Sequence, residues 1–107
     1  MLLISKQVKE KIATQVITPA QVNIYFNDAT SMQNISILSI TLQDDATNYK
    51  LLQLISFSFI LTEAKTISYL DFLDNANNIL FRIETTMSLD PAEHYLTVIL
   101  EYAYNIL

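Results

Sequence analysis

The 107-residue chain contains no cysteine and no glycine, only two prolines and a single histidine. The lack of cysteine excludes disulfides, thiolate catalysis and Cys-ligated metals. The lack of glycine removes every phosphate-cradling loop. It also leaves left-handed turns and helix caps to asparagine, the next most tolerant residue. Asparagines at 23, 27, 34, 48, 75, 77, 78 and 105 are available for that purpose. Basic residues are scarce too, six against eleven acidic, for a net charge of −5. Three of them, Lys6, Lys9 and Lys11, fall in the first dozen residues, leaving Lys50, Lys65 and Arg82. A phosphate-binding surface needs several such side chains on one face, so nucleic acid is not an expected partner.

The longest apolar-biased run, 51–61, is broken by Gln53, Ser56 and Ser58 and is too short to span a bilayer. The opening MLLISKQVKEK lacks the order and length of a signal peptide. Membrane association is therefore not expected, and a cytoplasmic location is.

What the chain does contain is apolar material. Hydrophobic residues make up 51% of it, and mean hydropathy is +0.30. That is more than one small core is expected to cover, which points to a homo-oligomer or a groove for a partner. The length suits a single domain over 1–107.

The stretch 68–86, SYLDFLDNANNILFRIETT, reads as a hairpin. Ile79, Phe81, Ile83 and Thr85 alternate with Leu80, Arg82, Glu84 and Thr86, around a turn at 74–78 rich in Asp and Asn. Residues 22–26 and 35–42 suggest a further antiparallel pair, joined by a loop at 27–31. Residues 4–16 carry Ile4, Val8, Ile12 and Val16 at helical spacing. The run 44–63 fits a helix capped by Asp45 or Thr47. It also fits a strand in which Ile55, Phe57, Phe59 and Leu61 alternate with serines, with 44–48 as a hairpin loop. The helix is the favoured reading. Asp90-Pro91-Ala92-Glu93 has the form of a helix start, so a last helix over 91–106 is expected. The sum is an α+β domain, α-β-β-α-β-β-α, with an antiparallel sheet of four to five strands flanked by two to three helices.

Few groups suggest chemistry. His94 stands alone, on the exposed side of the expected last helix, and no nucleophile elbow accompanies it. Asp71, Asp74 and the following asparagines resemble a calcium loop only superficially, since the patterned acids and the turn glycine are missing. No catalytic residue, metal or cofactor is expected. Tyr95, Tyr102 and Tyr104 on the last helix, with Leu80 and Arg82 on the hairpin arm, are the candidate partner-binding residues, because aromatics with polar tips suit interfaces.

The back half, 48–107, resembles the type III secretion chaperone-like family, including its YbjN-type branch. The matching residues are Tyr49-Lys50-Leu51-Leu52-Gln53-Leu54, then Leu73 to Arg82, then Leu89-Asp90-Pro91. That resemblance implies a leucine-rich helix before a strand–turn–strand and a final helix. It also implies a small acidic non-enzyme that dimerises and holds an unfolded stretch of another protein, or a regulator.

The expected function is accordingly a non-enzymatic, chaperone-like or regulatory module, a homodimer holding an apolar segment of a partner protein. An alternative is a small acidic inhibitor of the immunity or anti-defence type. It would cover a basic site on its target and requires Asp71, Asp74, Glu84 and Glu101 on one face. A small enzyme would require a deep pocket with perturbed carboxylates.

Overall fold

The computed structural model describes residues 7–10, 17–48 and 50–103, and among them there is no α-helix. Eight strands are present: β1 (Gln7–Glu10), β2 (Gln21–Phe26), β3 (Ser31–Ser36), β4 (Ser39–Asp45), β5 (Lys50–Ile60), β6 (Lys65–Leu73), β7 (Ile79–Leu89) and β8 (Glu93–Ala103). They form two four-stranded sheets, ordered β1-β8-β5-β4 and β3-β2-β6-β7. Only β1, alongside β8, is parallel to its neighbour. The chain makes the hairpins β2–β3, β4–β5 and β6–β7 and changes sheet between them.

The two sheets meet through side chains of alternating residues. Ile55, Phe57 and Phe59 of β5 and Leu96, Val98 and Leu100 of β8 face Val22 and Ile24 of β2, Ile67, Leu70 and Phe72 of β6, and Ile83 of β7. Phe57 meets Phe72 edge-on at 6.0 Å between ring centroids, and Phe72 stacks on Phe81 at 4.7 Å. Each large side chain buried in this way contributes about 1.5–3 kcal/mol. One polar pair sits in the same layer: the Tyr102 hydroxyl donates to Gln53 Oε1 at 2.6 Å, and Gln53 Nε2 donates to the Ile17 carbonyl at 2.7 Å.

The expected α+β architecture is thus overturned in favour of an all-β sandwich. Residues 50–60 are strand β5, with a short 3-10 turn at Ala46–Asn48 before it. The Ser-Phe-Ser-Phe alternation, not the helical spacing of the leucines, governs the segment, because β5 is flanked by partners on both edges. Residues 93–103 form β8 for the same reason. Leu96, Val98, Leu100 and Tyr102 are buried at period 2, while the cap-like Asp90-Pro91 is a bend between sheets. A proline and a side-chain acceptor suit such a bend as well as a helix start. The helices implied by the chaperone-like resemblance at 49–54 and after 91 are therefore absent from the described residues. Of the expected helix at 4–16, residues 7–10 form β1 and the rest lies outside the described residues. The strand expected over 35–42 is two strands, broken at Ile37-Leu38 where the chain changes sheet.

Among the described residues asparagine replaces glycine at two of three left-handed positions, Asn34 (φ 57°) and Asn77 (φ 65°). The third is Ala29 (φ 69°), in the β2–β3 turn. There Asp28 accepts hydrogen bonds from both the backbone N–H and the hydroxyl of Thr30, while Lys65 clamps Asp28 at 2.7 Å. In the β6–β7 turn, Asp74 Oδ1 accepts the N–H groups of Ala76 and Asn78, each at 2.9 Å, and Oδ2 accepts the Asn78 side-chain amide.

Candidate functional site

The outer face of the β3-β2-β6-β7 sheet carries the densest set of interacting polar and aromatic side chains. Cross-strand register sets it in two rows. One row runs Asn23 (β2), Asp71 (β6), Arg82 (β7), and the next Ser31 (β3), Tyr25 (β2), Tyr69 (β6), Glu84 (β7). Arg82 Nε and Nη2 donate to the two Asp71 carboxylate oxygens at 2.7 and 3.0 Å. The same guanidinium lies 4.2 Å from the Tyr69 ring centroid, and Tyr69 stacks on Tyr25 at 4.5 Å. Tyr69 is thus covered on both faces, by a cation and by a ring. Asn23 Oδ1 accepts the N–H of Asn34 at 2.7 Å, tying β3 into the array.

Tyr25 is covered on one side by Tyr69. Its neighbour on β3 is the small Ser31, Tyr25 is half-buried, and an open groove of about 490 Å3 is lined by Tyr25, Ser31, Thr30, Ser68 and Tyr69. A second open groove, of about 670 Å3, lies beyond Tyr69 among Ser68, Glu84, Thr85 and Thr86. It follows from a bulge in β7, where the pairing slips between Ile67 and Tyr69. Ser68 and Tyr69 line both grooves, so the two adjoin across Tyr69 along the row from Ser31 to Glu84. Among the described residues Glu84 closes no ion pair.

Several other titratable groups are engaged in the fold. Lys65 bridges Asp28 and Glu63 at 2.7 and 3.0 Å, and its pKa is raised chiefly by the hydrogen bond to Asp28. The Lys65 ammonium in turn holds Asp28 far below the usual carboxylate range. Asp74 is lowered by the backbone and side-chain N–H groups of Asn78. Both Asp71 and Asp74, the acids of the calcium-like stretch, are thereby occupied by protein donors. His94 is not on a solvent-facing helix. It is buried on β8 beside Phe59, with Nε2 donating to the Asp90 carbonyl at 2.7 Å and Nδ1 without a partner among the described residues.

Of the expected partner-binding residues, the structure brings Arg82 into this face and places Leu80 a little further along β7, partly exposed. Tyr95 is half-buried on β8, in the other sheet. Tyr102 is a core residue, because strand periodicity turns it inward, and Tyr104 lies outside the described residues. Tyr25 and Tyr69 were not singled out in the sequence. The available signal was a tyrosine in each of two adjacent strands, but their pairing depends on the β2–β6 register.

The four carboxylates of the inhibitor reading do not share a face. Asp71 lies buried beneath Arg82 and Asp74 in a turn, while Glu84 is exposed. Glu101 is buried on β8 of the opposite sheet, 3.6 Å from Lys50. No family model matches the chain, and none of the curated proteins or solved structures compared with it is similar.

Proposed function

We propose that the protein is a non-enzymatic binding module, chaperone-like or regulatory, that holds an extended segment of a partner protein across the outer face of the β3-β2-β6-β7 sheet and acts as a homodimer. The observation that carries this reading is a pair of adjoining open grooves on this face, with the half-buried Tyr25 lining one and the exposed Glu84 lining the other. Four strands spaced about 4.8 Å apart make the row from Ser31 to Glu84 roughly 14 Å long, the reach of four or five extended residues. A proline or aliphatic side chain suits the half-buried ring of Tyr25, and a Lys or Arg suits Glu84. The net charge of −5 favours approach of such a basic segment. Engagement of Asp71, Lys65 and His94 in structural contacts, and the openness of both grooves, support binding over catalysis.

The test is a set of synthetic decapeptides pairing Pro or Leu with Lys or Arg four residues on, titrated into labelled protein and followed by NMR. Saturable shifts at Tyr25, Tyr69 and Ser68, lost in Tyr25→Ala and weakened about tenfold in Glu84→Lys, are expected. Absence of shifts on this face with every peptide at millimolar concentration overturns the reading.

A further inference from the structure

Four strands lie at sheet edges: β1 and β4 in one sheet, β3 and β7 in the other. Exposed edges invite pairing with another chain, and proteins normally blunt them with bulges, charges or short length. Three of the four are blunted. β7 breaks register twice against β6, near Leu80 and near Thr85, and carries Arg82 and Glu84. β3 is interrupted by a shift against β2 and holds Asn34 in a left-handed conformation. β1 pairs over four residues only.

Apart from the two carboxylates at its end, Asp44 and Asp45, β4 has none of these devices. It pairs with β5 over seven consecutive residues, Ser39↔Ser56 to Asp45↔Lys50, without a shift. Its first five residues, Ser39-Ile40-Thr41-Leu42-Gln43, are uncharged, alternate strictly, and contain neither proline nor glycine. Ile40 and Leu42 sit opposite the buried Ile55 and Gln53 and so face inward. Yet Leu42 is 53% exposed, and Leu38, immediately before the strand, is 57% exposed. The inward face therefore runs out to an uncovered apolar rim at this edge.

We infer that the occupant of the β4 edge is a second copy of this chain, paired antiparallel about a two-fold axis at Thr41. The strand is self-complementary in that register. Leu42 of each copy opposes Ile40 of the other, covering the exposed rim. Ser39 opposes Gln43, and Thr41 opposes Thr41, a favourable cross-strand pair. The charges select the same arrangement: Asp44 of one copy faces the Leu38 end of the other, so the acidic pairs Asp44-Asp45 lie at opposite ends of the seam. Parallel pairing in register would set them side by side. The result is one continuous eight-stranded sheet, an isologous closed dimer. The outer faces of the two β3-β2-β6-β7 sheets remain free, which makes the dimer bivalent. This inference rests on the homodimer part of the proposed function and is independent of its peptide part.

The absence of cysteine makes the register testable one position at a time. Under mild oxidation, Thr41→Cys is expected to give a covalent dimer, about tenfold or more faster than Gln43→Cys or Ser39→Cys alone, because only position 41 meets itself. Mixing Ser39→Cys with Gln43→Cys should cross-link the two chains to each other. Thr41→Lys, which sets two ammonium groups face to face, should raise the dimer dissociation constant about tenfold or more in light scattering, with the thermal transition of the monomer retained. A dimer by light scattering whose Thr41→Cys form cross-links no faster than Ser88→Cys on β7 overturns the β4 seam and leaves homodimerisation standing. A monomer at every concentration overturns both, and peptide shifts at Tyr25 would then still decide the binding reading separately.

Discussion

Arg82 closes a two-pronged ion pair on Asp71 from the neighbouring strand, and the two partners differ sharply in setting: the Asp71 side chain is 1% exposed, that of Arg82 46%. A carboxylate is thus buried on the outer face of a sheet beneath a guanidinium that itself rests on the Tyr69 ring. Such a charge is tolerated only while it is paired. Arg82→Ala is therefore expected to destabilise more than the double variant Asp71→Asn/Arg82→Ala, in which no charge is stranded. Thermal unfolding of these two and of Asp71→Asn, in a double-mutant cycle, checks this. Equal losses in the single and double variants would mean that Asp71 reaches solvent when Arg82 is gone.

The Gln53–Tyr102 pair makes a second prediction. Tyr102→Phe removes the hydroxyl that donates to Gln53 Oε1 in the core, and a buried acceptor left unsatisfied costs about 1–3 kcal/mol. Urea denaturation should show that loss without a change in m value.

Ala29 tests the cost of having no glycine. Its positive φ costs an L-residue about 1–2 kcal/mol, against about 0.5–1 kcal/mol for the extra chain entropy of glycine. Ala29→Gly should accordingly stabilise the protein by about 0.5–1 kcal/mol, the reverse of the usual sign. A lower melting temperature would show that the Asp28–Thr30–Lys65 clamp relieves the strain.

Acid stability follows from the turn carboxylates. Asp28 and Asp74 are held below their ordinary value of 3.8, so the stability they contribute is fully present above that pH. It is lost as pH falls through their lowered values, because the unfolded chain then binds protons the native turns refuse. Lys65, raised above 10.5, contributes stability that is present below that pH and lost only in stronger alkali. The melting temperature should be level between about pH 5 and 9 with respect to these groups and should fall below about pH 4. Asp28→Asn and Asp74→Asn should each flatten that acid limb, as a pH series by circular dichroism would register.

The sequence alone determined the elements whose signals are local. The Asp-Asn turn at 74–78 forms because Asp74 caps its own loop, and β2 and β7 carry a clear period-2 alternation. Asparagine's substitution for glycine at positions 34 and 77 was legible in the same way. The tertiary structure decided the rest. Residues 50–60 and 93–103 hold leucines and isoleucines that satisfy both a 3.6 and a 2.0 period. They become strands because β5 and β8 lie beside each other and each saturates the other's backbone. That pairing turned Tyr102 and His94 inward and removed the expected last helix together with its tyrosine face. The groove at Tyr25 and Tyr69 and the bare edge at β4 were likewise beyond the sequence. The first arises from the register between β2 and β6, dozens of residues apart, and the second from the pairing of β8 on the far side of β5, which leaves β4 at the edge; a shift of one residue would send the paired side chains to the opposite face.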